Sequence, residues 1–197
     1  MSLRFAAYTI PSATLGGENP LPDIQTERDL HSNIQYDENT ITAEEARYMG
    51  WGKVNGILPY TIQDNYDRKK KDKQWKAAIL ENDYLKAVFL PELGGRLWTL
   101  VDKRTGKALL HQNPVFQPAN LALRNAWFSG GVEWNIGIIG HHPYTCSPLH
   151  TEVVRMKDGT EVLRMYEYER VRGLSYRVEA ALPEDSDKLI MHMRIEN

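Results

Sequence analysis

Apolar and polar residues alternate with a period of two over most of residues 75–197. The alternation is strictest in residues 174–182 and 189–195, and it is also present in 75–79 and 85–89. Successive side chains of a strand point to opposite faces, so this pattern predicts strands with one buried face.

Two turn signals connect predicted strands into hairpins. Residues 102–107 form a polar loop with a glycine between two apolar segments, 97–101 and 108–111. Further along, Asp158-Gly159 separates two more alternating segments, and an Asp-Gly pair in that position is a strong hairpin signal.

The first 74 residues carry weaker patterns. Residues 5–10 and 58–63 are predicted strands, while the proline-containing segment 11–34 is predicted to be extended and irregular. Residues 42–45, Thr-Ala-Glu-Glu, form a capping box, which predicts one short helix over about 43–49.

Roughly nine strands and one short helix predict an all-β protein, an antiparallel sandwich of two sheets packed face to face. We divide it into residues 1–74, an extended segment with the short helix and edge strands, and 75–197, the first part of the sandwich. Both belong to one structural domain. Because the chain stops at the end of a predicted strand, we expect it to be the N-terminal portion of a longer protein whose further residues cover that edge.

Composition narrows the classes of function. With 42% apolar and 25% charged residues, the chain can form a packed core. A net charge of -2 provides no basic field to attract nucleic acid, and no apolar run reaches the roughly 18 residues of a membrane span. The single cysteine, Cys146, fits a reducing compartment, so we expect a cytoplasmic protein.

Residues 90–149 concentrate the candidate chemistry. They hold two Gly-Gly pairs, three of the tryptophans and three of the histidines, and a fourth histidine, His150, follows directly. Glycines allow a close approach of the backbone, and aromatic rings beside polar groups suit a concave site for a polar ligand with apolar faces, such as a sugar. Each residue alone is more typical of a core or a turn, and the hypothesis rests on their concentration.

Several ordered motifs resemble an uncharacterised bacterial domain that commonly precedes tetratricopeptide-repeat arrays. They are residues 78–86 with 90–96, the Asp-Lys-x-x-Gly hairpin 102–106, Gln-Pro-Ala 117–119, the Trp-Phe-Ser-Gly-Gly-Val-Glu-Trp-Asn block 127–135, and the pair His141-His142. Pro143-Tyr144 follows the histidines where that domain usually has Arg-Pro. More distantly, the chain is similar to the galactose mutarotase-like β-supersandwich, which implies a sugar-sized groove but does not transfer a mechanism.

Glu133, His141 and His142 are the candidate catalytic residues. Mutarotation needs a base and an acid, and a carboxylate with an imidazole could share that work. The competing interpretation of Glu133 is a carboxylate that binds loop amides. On a strand the two histidines would point to opposite faces, so at most one would face a given groove.

Six further residues are candidates for substrate binding: Arg96, Arg124, Trp127, Trp134, Asn135 and His150. The guanidinium groups suit carboxylates or hydroxyls, and pairing with a structural acid is an equal alternative. We expect core packing for at least one of the tryptophans.

Glu133, His142 and His150 could converge on a metal, but their spacing is weak evidence for it. We therefore expect no metal and no cofactor. A nucleophilic pair of Cys146 with a histidine is conceivable, although a buried filler is more common.

The sequence thus favours a carbohydrate-binding domain, with aldose-epimerase-like or glycoside-processing chemistry in the full-length protein. The alternative is a non-catalytic interaction or scaffold module attached to a tetratricopeptide-repeat array. If Glu133 serves a ligand, Glu133→Gln should leave the melting temperature nearly unchanged.

Overall fold

The computed structural model of this protein describes residues 2–20, 22–25, 37, 39–48, 56–137 and 140–197. The elements of this described part are β1 Ser2–Ser12, β2 Pro22–Gln25, α1 Ala43–Tyr48, β3 Gly56–Thr61, β4 Lys71–Glu81, β5 Leu85–Leu90, β6 Arg96–Asp102, β7 Lys107–Ala108, β8 Ala119–Ala122, β9 Asn125–Trp127, β10 His150–Arg155, β11 Glu161–Glu169, β12 Leu174–Ala181 and β13 Ile190–Glu196.

All of these strands pair antiparallel, in two larger and two smaller sheets. The first sheet has the order β1-β4-β5-β6-β7 and the second has the order β10-β11-β12-β13. Strands β2 and β3 form one two-stranded sheet, and β8 and β9 form another. The predicted all-β antiparallel class is confirmed, whereas the predicted number of strands was too low because the short strands β2, β8 and β9 leave little pattern.

The two larger sheets pack face to face over one core. Leu80 and Phe89 of the first sheet belong to the same buried cluster as Leu163, Met165 and Val178 of the second. Alternation in β11 and β12 directs these side chains inward, as the sequence predicts.

The central strands of the first sheet are buried on both faces, which corrects the prediction of a single buried face. Ala77 and Ala78 are successive residues of β4, and both are fully buried; Val88 and Phe89 of β5 repeat the arrangement. The second face is covered by the irregular segment 109–149, whose Phe116 and neighbouring rings pack against the sheet. This segment also carries most of the candidate site residues.

Local signals predicted the hairpins and the helix correctly. Asp158-Gly159 lies in the turn between β10 and β11, and residues 103–106 form the turn between β6 and β7. In the capping box, the Glu45 carboxylate accepts a hydrogen bond from the Thr42 backbone N–H at 2.7 Å, and the Thr42 hydroxyl accepts one from the Glu45 N–H. The proposed helix stop at Gly50 lies outside the described residues.

Strand β13 lies at one edge of the second sheet. Register places Met193 opposite Val178 and Ile195 opposite Tyr176, so all four side chains share the core-facing side of the sheet. Met193 is 40% exposed and Ile195 is 50% exposed, whereas their partners are buried. Among the described residues, no helix is long and apolar enough to cross a membrane.

Candidate functional site

The two Gly-Gly pairs bring distant segments of backbone together at the start of β6. Gly131 has φ near +65°, and a Cβ atom there would lie 2.1 Å from the Leu97 carbonyl oxygen. Val132 then forms an antiparallel bridge with Leu97. Because only glycine permits this approach, the pair fixes the position of Glu133 next to β6.

Glu133 is the hub of the resulting cluster. Its Oε2 accepts a hydrogen bond from the Trp127 indole Nε1 at 2.9 Å and lies 2.8 Å from His141 Nδ1. Burial raises the pKa of Glu133, but the Trp127 hydrogen bond and the charge of Arg96 outweigh burial and hold it below its usual value. Glu133 is therefore an anion near neutral pH. We call Glu133, His141, Trp127 and Arg96 the Glu133 centre.

His141 is a member of the Glu133 centre that reaches the surface. Its side chain is 33% exposed, against 11% for Glu133. The imidazole lies against the Trp127 ring with centroids 4.7 Å apart. A carboxylate at Nδ1 favours the tautomer that carries its proton there, which leaves Nε2 as the acceptor of the neutral ring.

Arg96 lies on the buried side of the Glu133 centre. The side chain is 3% exposed, and its guanidinium lies over the Phe128 ring. It donates hydrogen bonds to the Gly130 carbonyl and to the Thr145 hydroxyl, and one nitrogen lies 3.9 Å from Glu133 Oε2. Burial lowers the pKa of Arg96 and the Glu133 charge raises it, so each charge compensates the other.

The expectation that the two histidines occupy opposite faces of a strand does not apply, because the pair lies in a loop. His142 has surroundings different from those of His141. It is buried between Tyr144 and Tyr176. Its Nδ1 accepts a hydrogen bond from the Tyr144 backbone N–H at 3.1 Å, and its own backbone N–H donates to Asn135 Oδ1. Burial lowers the pKa of His142 to about 4, so the ring is neutral at physiological pH.

Two buried polar atoms of this region have no hydrogen-bond partner among the residues that the structure describes. They are Glu133 Oε1 and His142 Nε2. Because Nδ1 of His142 already acts as an acceptor, Nε2 of the neutral ring carries the proton. One atom is thus an unused acceptor and the other an unused donor, and such buried groups call for a specific explanation.

Trp134, also predicted to bind substrate, lies beside the centre but is held by the protein. Its indole nitrogen donates to the Gly95 carbonyl at 2.8 Å, and its ring packs against the core between the sheets. Trp127, the other tryptophan predicted to bind substrate, is half-buried and belongs to the Glu133 centre. Of the two, Trp134 is therefore the one that acts as a packing residue.

Arg124 lies in a separate polar cluster and is fully engaged there. It donates to the carbonyls of Thr61 and Pro143, to the hydroxyls of Thr61 and Ser147, and to the Glu18 carboxylate at 2.8 Å. A guanidinium has five N–H donors, so this set uses all of them. Arg124 ties three segments of chain together and has no donor left for a ligand.

His150 lies at the start of β10, where it stacks on Tyr166 and is 67% exposed. It does not join Glu133 and His142, so the sequence hypothesis of a metal shared by these three was wrong. Within the described residues, no group of three or more His, Cys, Asp or Glu side chains is placed to hold a metal ion. Cys146 is a buried filler, and burial raises its thiol pKa to about 12.

Sequence reasoning missed the groups that complete the centre. Thr145 and the Gly130 carbonyl hold Arg96, and Phe128 lies beneath its guanidinium. Phe128 and Gly130 belong to the block 127–135 that the sequence singles out, but no contact with Arg96 could be predicted from it, and Thr145 lies outside every motif.

Comparison with known families assigns the domain. The model of a family described as "Domain of unknown function (DUF5107)" matches residues 52–194. The chain belongs to this family. The predicted resemblance to an uncharacterised domain is confirmed for DUF5107, and the matched range contains the whole Glu133 centre.

A solved structure shares the fold. The DUF5107 chain is similar to a TPR-domain containing protein from Parabacteroides distasonis ATCC 8503, with a TM-score of 0.72 and 20% sequence identity. The match covers 98% of this chain and 28% of that chain. This chain thus spans less than a third of that protein's length, and the likeness is one of fold.

Proposed function

We propose that this domain binds a saccharide through the Glu133 centre. The observation that carries the proposal is the buried carboxylate oxygen Glu133 Oε1, which lacks a donor among the described residues while Oε2 is bonded on two sides. A carboxylate oxygen left without a donor costs about 1–3 kcal/mol or more, which a ligand hydroxyl can recover.

A hydroxyl group also suits the second unsatisfied atom. A sugar hydroxyl both donates and accepts, so its chemistry matches the acceptor Glu133 Oε1 and the donor His142 Nε2. Both atoms are buried, so a ligand reaches them only when the side chains that cover them move aside. The exposed edge of His141 and its neighbour Trp127 provide the aromatic surface against which a sugar ring packs. We infer that the ligand approaches from the His141 side.

The electrostatics favour binding and orientation over acid catalysis by Glu133. A carboxylate with a lowered pKa is a poor proton donor and a weak base, but it is well suited to hold His141 Nδ1. If a protein that carries this domain catalyses an aldose-epimerase-like or glycoside-processing reaction, His141 Nε2 is then the proton acceptor and Glu133 its positioning residue. The distant relation to the mutarotase-like supersandwich belongs to the same proposal.

The alternative function is a scaffold module next to tetratricopeptide repeats. The solved relative of the same fold is described as a TPR-domain containing protein, and this supports the alternative without specifying a ligand. A module of that kind needs no response to sugars, so a binding measurement separates the two functions.

The test is a calorimetric screen of mono- and disaccharides against the wild type and two histidine variants. His141→Gln should weaken binding of any responding sugar at least tenfold, because it removes the ring at the surface of the centre. His192→Gln is the matched control: His192 also lies against a carboxylate, 2.9 Å from Glu179 Oε2, but on β13. Equal effects of both changes, or no response to any sugar, would favour the scaffold module.

A further inference from the structure

One row of side chains crosses the outer face of the second sheet, away from the Glu133 centre. Register pairs His150 with Tyr166, Tyr166 with Arg177, and Arg177 with Arg194. Residues paired in this way lie on the same face of a sheet. The row therefore joins two rings to two guanidinium groups across all four strands.

The row lines a groove of about 440 Å³. Small-molecule sites commonly have volumes of about 300–1,000 Å³, so the groove has a suitable size. Its lining includes three arginines and three glutamates, and their formal charges balance. The three glutamates would repel a densely charged polyanion. They would repel a ligand with isolated negative charges among hydroxyl groups much less.

The two facing arginines are the unusual feature of the groove. Like charges directly opposite each other on a sheet are destabilising. Arg194 Nε has a close partner in Glu196, at 2.6 Å. Arg177 Nε lies 3.7 Å from Glu179 Oε1, too far for a hydrogen bond, and it is buried without a hydrogen-bond partner in the described part of the chain.

The Glu179 carboxylate cannot form a closer ion pair with Arg177 because it already binds two other side chains. It binds Arg164 at 2.6 Å and His192 at 2.9 Å. The neighbouring Arg177 is thus the weakly compensated cation of the face. The side chain is 32% exposed although its Nε is buried, so a carboxylate in the groove can bind the terminal guanidinium nitrogens and relieve the repulsion with Arg194.

Aromatic rings flank this cation. His150 stacks on Tyr166 with centroids 5.3 Å apart, and Tyr166 and Tyr168 are 39% and 48% exposed. Exposed aromatic faces beside charged hydrogen-bonding groups suit a ring that is apolar on its face and polar at its edge.

We propose that this groove binds an acidic saccharide, with one uronic-acid carboxylate held by Arg177 and Arg194 and its ring packed on Tyr166. The glutamates of the lining accept hydrogen bonds from the hydroxyl groups of the same chain. This site is separate from the Glu133 centre and does not rest on the function proposed there.

The test is calorimetric titration with trimers and tetramers of galacturonate, mannuronate and hyaluronan, with maltotriose as the neutral comparator. At least one acidic oligosaccharide should bind, and maltotriose should bind at least tenfold more weakly. Arg177→Gln and Arg194→Gln should each weaken binding about tenfold or more, and added salt should weaken it further. Arg155→Gln is the control, because Arg155 also pairs with a glutamate on this sheet but outside the groove.

Three results would overturn the proposal: no binding of any acidic oligosaccharide, equal binding of maltotriose, or an equal loss with Arg155→Gln. His141→Gln should leave binding in the groove unchanged. Failure in the groove and failure at the Glu133 centre are therefore distinguishable, since each site has its own variants.

Discussion

At the residue scale, Glu133 shows how one side chain can be structural and functional at once. The sequence alone suggests that Glu133→Gln leaves stability unchanged, but the nearby Arg96 is buried and depends on the carboxylate for charge compensation. A ligand-binding role is therefore tested better at His141, whose side chain is one-third exposed and whose loss leaves no charge buried.

Glu133→Gln should lower the free energy of unfolding by about 1–3 kcal/mol, because it leaves the buried Arg96 without an anion. Chemical denaturation measures the change. Glu152→Gln is the control, because its exposed pair with Arg164 at 3.1 Å should contribute less than about 1 kcal/mol. Equal losses in the two variants would show that burial of the Glu133 pair has no energetic consequence.

His142 should make stability depend on pH. Its folded pKa of about 4 lies below the ordinary value of 6.5, so the unfolded chain binds the extra proton between these values. Stability is then lost as the pH falls below about 6.5, and the loss approaches about 3 kcal/mol near pH 4.

His142→Asn isolates this contribution, since an amide oxygen can replace Nδ1 as the acceptor for the Tyr144 N–H without titrating. The stability of the wild type relative to this variant should fall by about 3 kcal/mol between pH 7 and pH 4. A difference that stays constant over that interval would mean that His142 is not protonated differently in the folded and unfolded states.

At the element scale, Gly131 allows the segment 109–149 to pack closely against β6. Gly131 and Gly106 have nearly the same left-handed φ, 65° and 67°, but only Gly131 has backbone within reach of a Cβ atom. Comparing substitutions at these two glycines therefore separates the energetic cost of the left-handed backbone conformation from the cost of steric overlap.

Gly106→Ala should cost about 1–2 kcal/mol from its backbone conformation alone. Gly131→Ala should cost about 1–3 kcal/mol more, because the new methyl group overlaps the Leu97 carbonyl and must displace the bridge to Val132. Urea denaturation of both variants gives the comparison. Equal costs would contradict the close contact of these two segments.

At the scale of the whole molecule, the sequence predicted what local pattern encodes. Alternation identified β11, β12 and β13, and the Asp-Gly pair identified the hairpin that joins β10 to β11. It did not reveal that β4 and β5 are buried on both faces, because short apolar runs do not show what covers them. The covering segment 109–149 has little regular structure and therefore no periodicity to read.

The candidate site was predictable in part for the same reason. Trp127, Glu133 and His141 are close in sequence, and the motif that carries them folds locally into the Glu133 centre. The row from His150 to Arg194 was not predictable, because it depends on the register of four strands. Sequence places Arg177 and Arg194 on strands but does not place them opposite each other.

Saccharide binding at the Glu133 centre can be observed directly by titrating the isotopically labelled chain with the saccharides of the screen and following the tryptophan indole N–H resonances. Trp127 donates to Glu133, whereas Trp75 donates to Ser12 Oγ in the other core cluster and serves as the internal control. If the Glu133 centre binds a saccharide, the bound sugar shifts the Trp127 resonance in a saturable way and leaves Trp75 unchanged. A Trp127 resonance that no saccharide moves, or one that moves only together with Trp75, would contradict the proposed binding.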